Sequence, residues 1–169
     1  MIGRVTVLAG GLAGAATLSQ FPEFSQQYVQ RLGGAVDELS RMISDFDADA
    51  AREEMSRSEA LADLAQGGQM GARRAATMTT TIYRYERLSA DLAALQSRDP
   101  IQRALLADRL MDREIAARAW ENYRPALPLT AEGGIFAAVG FGIAALALAL
   151  VIGLWRGVFG RRGRRRVQA

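Results

Sequence analysis

The 169-residue sequence has no cysteine, no histidine and no lysine; all 21 of its basic residues are arginine. The first two absences exclude disulfide stapling, thiolate metal sites, thiol nucleophiles and imidazole acid–base catalysis. A cysteine-free chain suits an oxidising compartment without requiring one. The missing lysine reads as compositional bias, since a solvated surface accepts either cation, and it keeps every positive group charged at accessible pH. No glycine-rich stretch is followed by the Lys-Ser/Thr of a phosphate loop, so the glycines of LAGGLAG, residues 8 to 14, have no phosphate-binding context. Carboxylates do occur in groups, at Asp45/Asp47/Asp49, Glu53-Glu54 and Asp108/Asp112. They alternate with Arg52, Arg57, Arg109 and Arg113, the pattern of an ion-pair surface rather than of an acid–base pair or a hard-cation site. The sequence therefore assigns no catalytic residue, metal or cofactor, and the expectation is a protein that is not an enzyme.

Apolar residues make up half the chain but are concentrated at its ends. Gly134–Leu154, GIFAAVGFGIAALALALVIGL, is 21 residues without a charge. At ~1.5 Å per residue it spans roughly 31 Å, the thickness of a bilayer's hydrocarbon. Trp155 and Arg156 supply an aromatic anchor and a snorkelling charge at one end. The first segment is weaker: Val5–Leu18 is 14 uncharged residues, reaching toward Pro22 and, past Arg4, back to Met1. A spanning helix is the leading reading there, against a cleaved signal peptide or a re-entrant helix. Gly10 and Gly14 on the first segment, and Gly134, Ala138 and Gly142 on the second, stand at the spacing with which membrane helices pack closely.

Charge is segregated as well. Residues 21 to 132 hold 14 Arg against 18 Asp plus Glu, whereas the flanks hold seven Arg and no acid. Six of those seven, Arg156, Arg161, Arg162, Arg164, Arg165 and Arg166, fall in the 14-residue tail. They fix that tail in the cytoplasm and offer contact with anionic lipid. Lacking interleaved aromatics, the tail is not read as a nucleic-acid site. With Arg4 inside too, both termini are cytoplasmic and the acidic middle lies outside, in the periplasm of a Gram-negative cell.

That middle reads as helix. Tyr28, Leu32, Val36, Leu39, Ile43, Phe46 and Ala50 form an amphipathic stripe, which continues through Met55, Leu61 and Leu64 to a stop at Gly67-Gly68. Gly33 and Gly34 permit a bend. A second helix runs from Arg73 or Thr77 to Ser97, its start blurred by a threonine run. Asp99-Pro100 caps and opens a third, running through Tyr123 and closed by Pro125 and Pro128. The fold class is thus an all-α membrane protein. An N-terminal transmembrane helix occupies 1–22, an extramembrane helical hairpin or three-helix bundle 23–130, a C-terminal transmembrane helix 133–156 and a basic cytoplasmic tail 157–169.

The element SQFPEFSQQYVQRLGG, residues 19 to 34, resembles that of an uncharacterised bacterial membrane family, the DUF2937 proteins. The resemblance implies an N-terminal hydrophobic segment, a helical middle, a C-terminal transmembrane helix and an inner-membrane location, and supplies no activity. It favours retention of the first segment, because the distinctive element follows that segment directly. Read physically, Phe21, Phe24 and Tyr28 are aromatic rings at a membrane exit, Pro22 turns the chain, and Arg31 is a donor for a partner or headgroup. Trp120 and Tyr123 stand at the return to the second span. These seven residues are the candidate interfacial or docking set. The function expected is a structural or accessory inner-membrane protein that self-associates or docks on a larger membrane complex, with membrane lipids as the other partner. The alternative is a lipid or small-ligand binding or sensing module, with an apolar pocket near Phe24, Tyr28, Trp120 and Tyr123. A carboxylate-dependent membrane enzyme ranks third.

Overall fold

Among the described residues, seven α-helices follow from the places where the chain can no longer continue one. A computed structural model describes residues 2–121, 123 and 130–163. The helices are α1 (Ile2–Leu18), α2 (Phe21–Arg52), α3 (Arg57–Gln66), α4 (Gly68–Leu95), α5 (Pro100–Ala104), α6 (Arg113–Glu121) and α7 (Ala131–Gly163). A 3₁₀ turn, Ala107–Leu110, separates α5 from α6, and no strand occurs among the described residues. The chain divides into two units, one made of residues 1–24 and 124–169, the other of residues 25–123.

In the first unit α1 and α7 pack against each other in antiparallel register: Gly10 faces Leu148, Gly14 faces Ala144, and Gly140 faces Leu18. A Cβ on Gly14 would stand 2.5 Å from the Gly140 carbonyl oxygen, a separation real side chains do not adopt, so backbone meets backbone there. Phe21 closes one end of the seam against Phe136, ring centroids 5.0 Å apart. The outward faces carry Val5, Leu8 and Leu12 on α1 and Val139, Ile143, Leu146 and Leu150 on α7, all exposed. By length and composition one segment, the 25-residue Ala131–Trp155, is long and apolar enough to cross a membrane. The second span expected from the sequence is not found on that ground: α1 has 17 residues, at the lower limit of about 17 for a crossing.

α2 runs unbroken through Gly33 and Gly34. Pro22 falls in its first turn, where a missing N–H costs nothing. The stripe read from the sequence is the buried face: Tyr28, Leu32, Val36, Ile43 and Ala50 are buried, joined by Leu88 and Leu95 of α4, Leu110, and Ile115 and Ala119 of α6.

Three boundaries differ from those expected. The first helix does not continue to Gly67: it ends at Arg52. Glu54 adopts φ 58° there, while the N–H groups of Met55 and Glu54 bond back to the Ala50 and Ala51 carbonyls at 2.9 and 3.1 Å. This is a left-handed helix stop without the usual glycine. Ser56 and Glu59 then cap α3 reciprocally, each side chain bonding the other's backbone N–H, at 3.3 and 2.7 Å. The second helix starts earlier than Arg73, because Gly68 at φ 79° completes the turn after α3 and helix follows at once. Its threonines are accommodated by bonding back: the hydroxyls of Thr77, Thr79, Thr80 and Thr81 donate to carbonyls four residues earlier at 2.9–3.0 Å. The third helix is broken. Asp99 caps α5 through the Gln102 N–H at 2.8 Å with Pro100 in the first turn, but α5 lasts five residues. Helix resumes only at Arg113, where Asp112 accepts from the Ile115 N–H at 3.1 Å. Pro125 and Pro128 lie outside the described residues.

Candidate functional site

Two features of the unit 25–123 carry more than ordinary packing. The first is a polar clasp at Tyr28, which is fully buried. Its hydroxyl accepts from the Asp112 N–H at 3.1 Å and donates to the Arg109 carbonyl at 3.4 Å, fastening the irregular segment before α6 onto α2. The Asp112 carboxylate, 6% exposed, receives Arg87 at 2.7 Å and Arg84 at 3.4 Å, both from α4; Arg84 also reaches Glu114 at 2.8 Å. Arg109 bonds Asp91 of α4 at 2.9 Å. Burial pushes the Asp112 carboxyl up, but the hydrogen bonds from Arg87 and the Ile115 N–H, with the charges of Arg84 and Arg87, outweigh it and hold the group below the usual aspartate range. Burial raises the Tyr28 phenol above its ordinary value. Every buried side-chain polar atom among the described residues has a partner. The clasp is therefore satisfied.

The second feature is an open groove of about 370 Å³ where α2, α3 and α4 meet at the other end of the unit. Met42, Phe46, Met55, Leu64 and Met78 make its apolar floor, and Asp49, Glu53, Asp63 and Arg74 stand among its lining. α3 is held across it by Arg57, whose guanidinium bonds Asp47 of α2 with Nε at 2.6 Å and with a second nitrogen on the other carboxylate oxygen. The hydrogen bond from Arg57 lowers the Asp47 carboxyl. At the α3–α4 junction Gly71 passes so close to the Leu64 carbonyl that a Cβ would strike it. No cluster of acidic side chains among the described residues is arranged to hold a metal ion.

The candidate residues from the sequence fall in several settings. Tyr28, expected at a membrane exit, is the centre of the clasp. Phe21 belongs to the α1–α7 seam, Pro22 and Phe24 are half-buried, and Arg31 is exposed beside a shallow groove with Glu38 and Arg118. Trp120 is 67% exposed and stacks on Tyr123 with centroids 5.5 Å apart. The apolar groove described above forms 14 to 22 residues along α2 from Tyr28. Of the small residues, Gly10 and Gly14 lie in the seam, where Gly140 and Ala144 meet them; Gly134 and Gly142 face open space and Ala138 is exposed. Arg156, Arg161 and Arg162 continue α7 as backbone, and Arg164, Arg165 and Arg166 lie outside the described residues.

Sequence reasoning placed Asp112 beside Asp108 and Arg109 in a local ion-pair surface and missed its role. Its principal cations are 25 and 28 residues earlier on α4. The available signal was an aspartate three residues before Ile115, an N-cap pattern inside what looked like one helix.

No curated protein and no solved structure matches the chain. The family model described as "Protein of unknown function (DUF2937)" matches residues 2–162. With almost its whole length covered by that match, the chain belongs to the DUF2937 family.

Proposed function

We propose that this is an accessory inner-membrane protein without chemistry of its own. In this reading α1 and α7 cross the bilayer as an antiparallel hairpin, and residues 25–123 serve as a helical docking module on the periplasmic side. The observation that carries the two-span reading is the α1–α7 seam. Its contact face sets Gly10, Gly11, Gly14 and Gly140 against Leu148, Phe141, Ala144 and Leu18, so that the backbones approach closely, while Val5, Leu8, Leu12, Ile143 and Leu150 are exposed. A helix laid along α7 over this register shares its depth, so a bilayer that holds α7 holds α1. The clasp supports the docking role, because a rigid, fully satisfied polar network fixes a surface shape without offering a reactive group. Extraction of the full-length protein in mild detergent, followed by crosslinking and mass identification, should recover a self-associated form or a defined membrane-protein partner. A strictly monomeric protein with nothing attached would remove the docking role.

The groove between α2, α3 and α4 favours a second reading, a binding module for a small apolar ligand. Three methionines in its lining give an adaptable floor of the kind that tolerates varied apolar shapes. Met78→Arg should abolish saturable binding of an apolar fluorophore to the reconstituted protein; equal binding by both forms would dismiss this reading.

A further inference from the structure

Beside the α1–α7 seam lies an open groove of about 440 Å³, lined wholly from within that unit. α1 gives it Gly3, Val7 and Leu8, and α7 gives it Ala145, Ala149 and Gly153. Those three small residues of α7 recur every four positions, so they follow one face at successive turns. They leave a trench where larger side chains would form a ridge. Its two ends differ. At one, Phe141 enters the lining, its ring set against Gly11 across the seam. At the other stands Arg4. The seam pairs Gly10 with Leu148, and six residues further along each helix that register brings Arg4 level with Leu154.

Length and charge give the groove a direction. Phe141 to Gly153 is a rise of roughly 18 Å along α7, against ~15 Å for half of a ~30 Å hydrocarbon core. The groove is therefore about one leaflet deep, and Arg4 stands where the uncharged stretch of α7 gives out at Leu154. Arg4 is exposed and makes no ion pair among the described residues. Every other lining residue is uncharged. α1 contains no acid, and the one acid of α7, Glu132, is roughly 31 Å along the helix from Gly153.

We infer that this groove binds one anionic phospholipid, with an acyl chain along Val7, Ala145 and Ala149 and the phosphate at Arg4. In lipid, contact is gained by close packing rather than by escape from water, and a flexible chain fills the space that the small residues leave. Charge selects the class of lipid. The Arg4 end is followed on α7 by Arg156, Arg161 and Arg162 with no acid among them, so a headgroup of net negative charge neutralises it. A second copy in the same orientation would bring its own arginines to the same place and add like charge. The inference rests on the hairpin reading, since it requires α1 and α7 in lipid, and it uses nothing of residues 25–123.

The full-length protein is reconstituted in nanodiscs of equimolar phosphatidylglycerol and phosphatidylcholine with identical chains. Lipid that stays on the protein when the disc is dissociated is counted by native mass spectrometry. Phosphatidylglycerol should stay in about fivefold excess over phosphatidylcholine, the factor one arginine near a charged surface is worth. Arg4→Gln should bring the two lipids to parity, and Arg4→Lys should keep most of the excess. Ala149→Phe, which fills the trench from an exposed position, should lose the retained lipid of both classes. Parity in the parent overturns the site. So does an excess that survives Arg4→Gln or Ala149→Phe, which would belong to the tail arginines. Circular dichroism matching the parent shows that the variants keep the fold; should Ala149→Phe lose helicity, the two Arg4 variants decide alone. A nitroxide at Leu12→Cys, on the exposed face of α1, reads the hairpin separately. Relaxation dominated by lipid-soluble oxygen puts α1 in the bilayer, so parity in the parent then overturns the site alone. Relaxation dominated by a water-soluble nickel chelate overturns the hairpin and the site together.

Discussion

Tyr28 is the residue on which the helical unit turns. Its ring fills the core beside Leu32 while its hydroxyl serves two backbone groups on another segment. Tyr28→Phe keeps the ring but leaves the Asp112 N–H without its acceptor in a half-buried site. A loss of about 1–3 kcal/mol follows, the cost of stranding a buried polar group, measurable by chemical denaturation. Asp112 gives the clasp a pH signature. Its carboxyl is held below its unfolded value, so its contribution is complete at neutral pH and is lost as pH falls through the folded value. Thermal stability should drop from about pH 4 downward, near the ordinary aspartate value of ~3.9. Asp112→Asn should be less stable at pH 7 and lose less between pH 5 and pH 3, on the order of that titration range. A variant with an unchanged acid limb would assign the acid loss to other carboxylates. Glu54 is the third informative position. At φ 58° a residue with a Cβ is strained by roughly 1–2 kcal/mol, and glycine's greater unfolded-state freedom returns about 0.4–1 of that. Glu54→Gly should therefore stabilise the protein by roughly 0.5–1 kcal/mol in a denaturant titration.

At the scale of elements, the sequence made some features legible and hid others for definable reasons. The α2 stripe was readable because burial on one side of a long helix imposes a 3.6-residue period from Tyr28 to Ala50. The Asp99-Pro100 start was readable because capping is local chemistry. The stop at Glu54 was not, because the residue that takes the left-handed conformation is a glutamate and the apolar pattern runs across the break through Met55. The break at Asp112 was hidden for a different reason: what holds it is Tyr28, Arg84 and Arg87, and long-range partners leave no mark in a linear period. The seam was half legible. Gly10 and Gly14 were found by spacing, but on α7 several small-residue series compete, and only packing selects Gly140 and Ala144 over Gly134, Ala138 and Gly142. That choice yields a paired prediction. Gly140→Leu drives a side chain into the Gly14 carbonyl and Leu18, and overpacking of this kind costs about 1–3 kcal/mol. Gly142→Leu meets open space and should stay within about 0.5 kcal/mol of the parent. Thermal unfolding of the two variants in one detergent separates them; equal losses would mean that the seam is not the contact holding the hairpin.

For the whole molecule, charge segregation and hairpin geometry lead to one topology. Six arginines follow Trp155, three in the last turns of α7 and three after it, Arg4 is near the start of α1, and the 112 residues between the two helices are too many for their own charges to decide orientation. An antiparallel hairpin puts the start of α1 and the end of α7 on the same side of a bilayer, so the two arginine-bearing ends make compatible demands. Both termini should be cytoplasmic and residues 25–123 periplasmic. A reporter active only in the periplasm should therefore signal when fused at residue 70, and one active only in the cytoplasm should signal at the C-terminus. The intact mass of the membrane-extracted protein should include α1, since its removal would expose the Gly140–Ala144–Leu148 face of α7 that it covers. Replacing Arg161, Arg162, Arg164, Arg165 and Arg166 with glutamine should leave a mixed population, because Arg4 and Arg156 alone give a weak bias. A cytoplasmic reporter signal at residue 70 in the parent protein would overturn the orientation. Opposite-side signals at residue 70 and the C-terminus, with a mass lacking α1, would leave a singly anchored protein and remove the two-span hairpin.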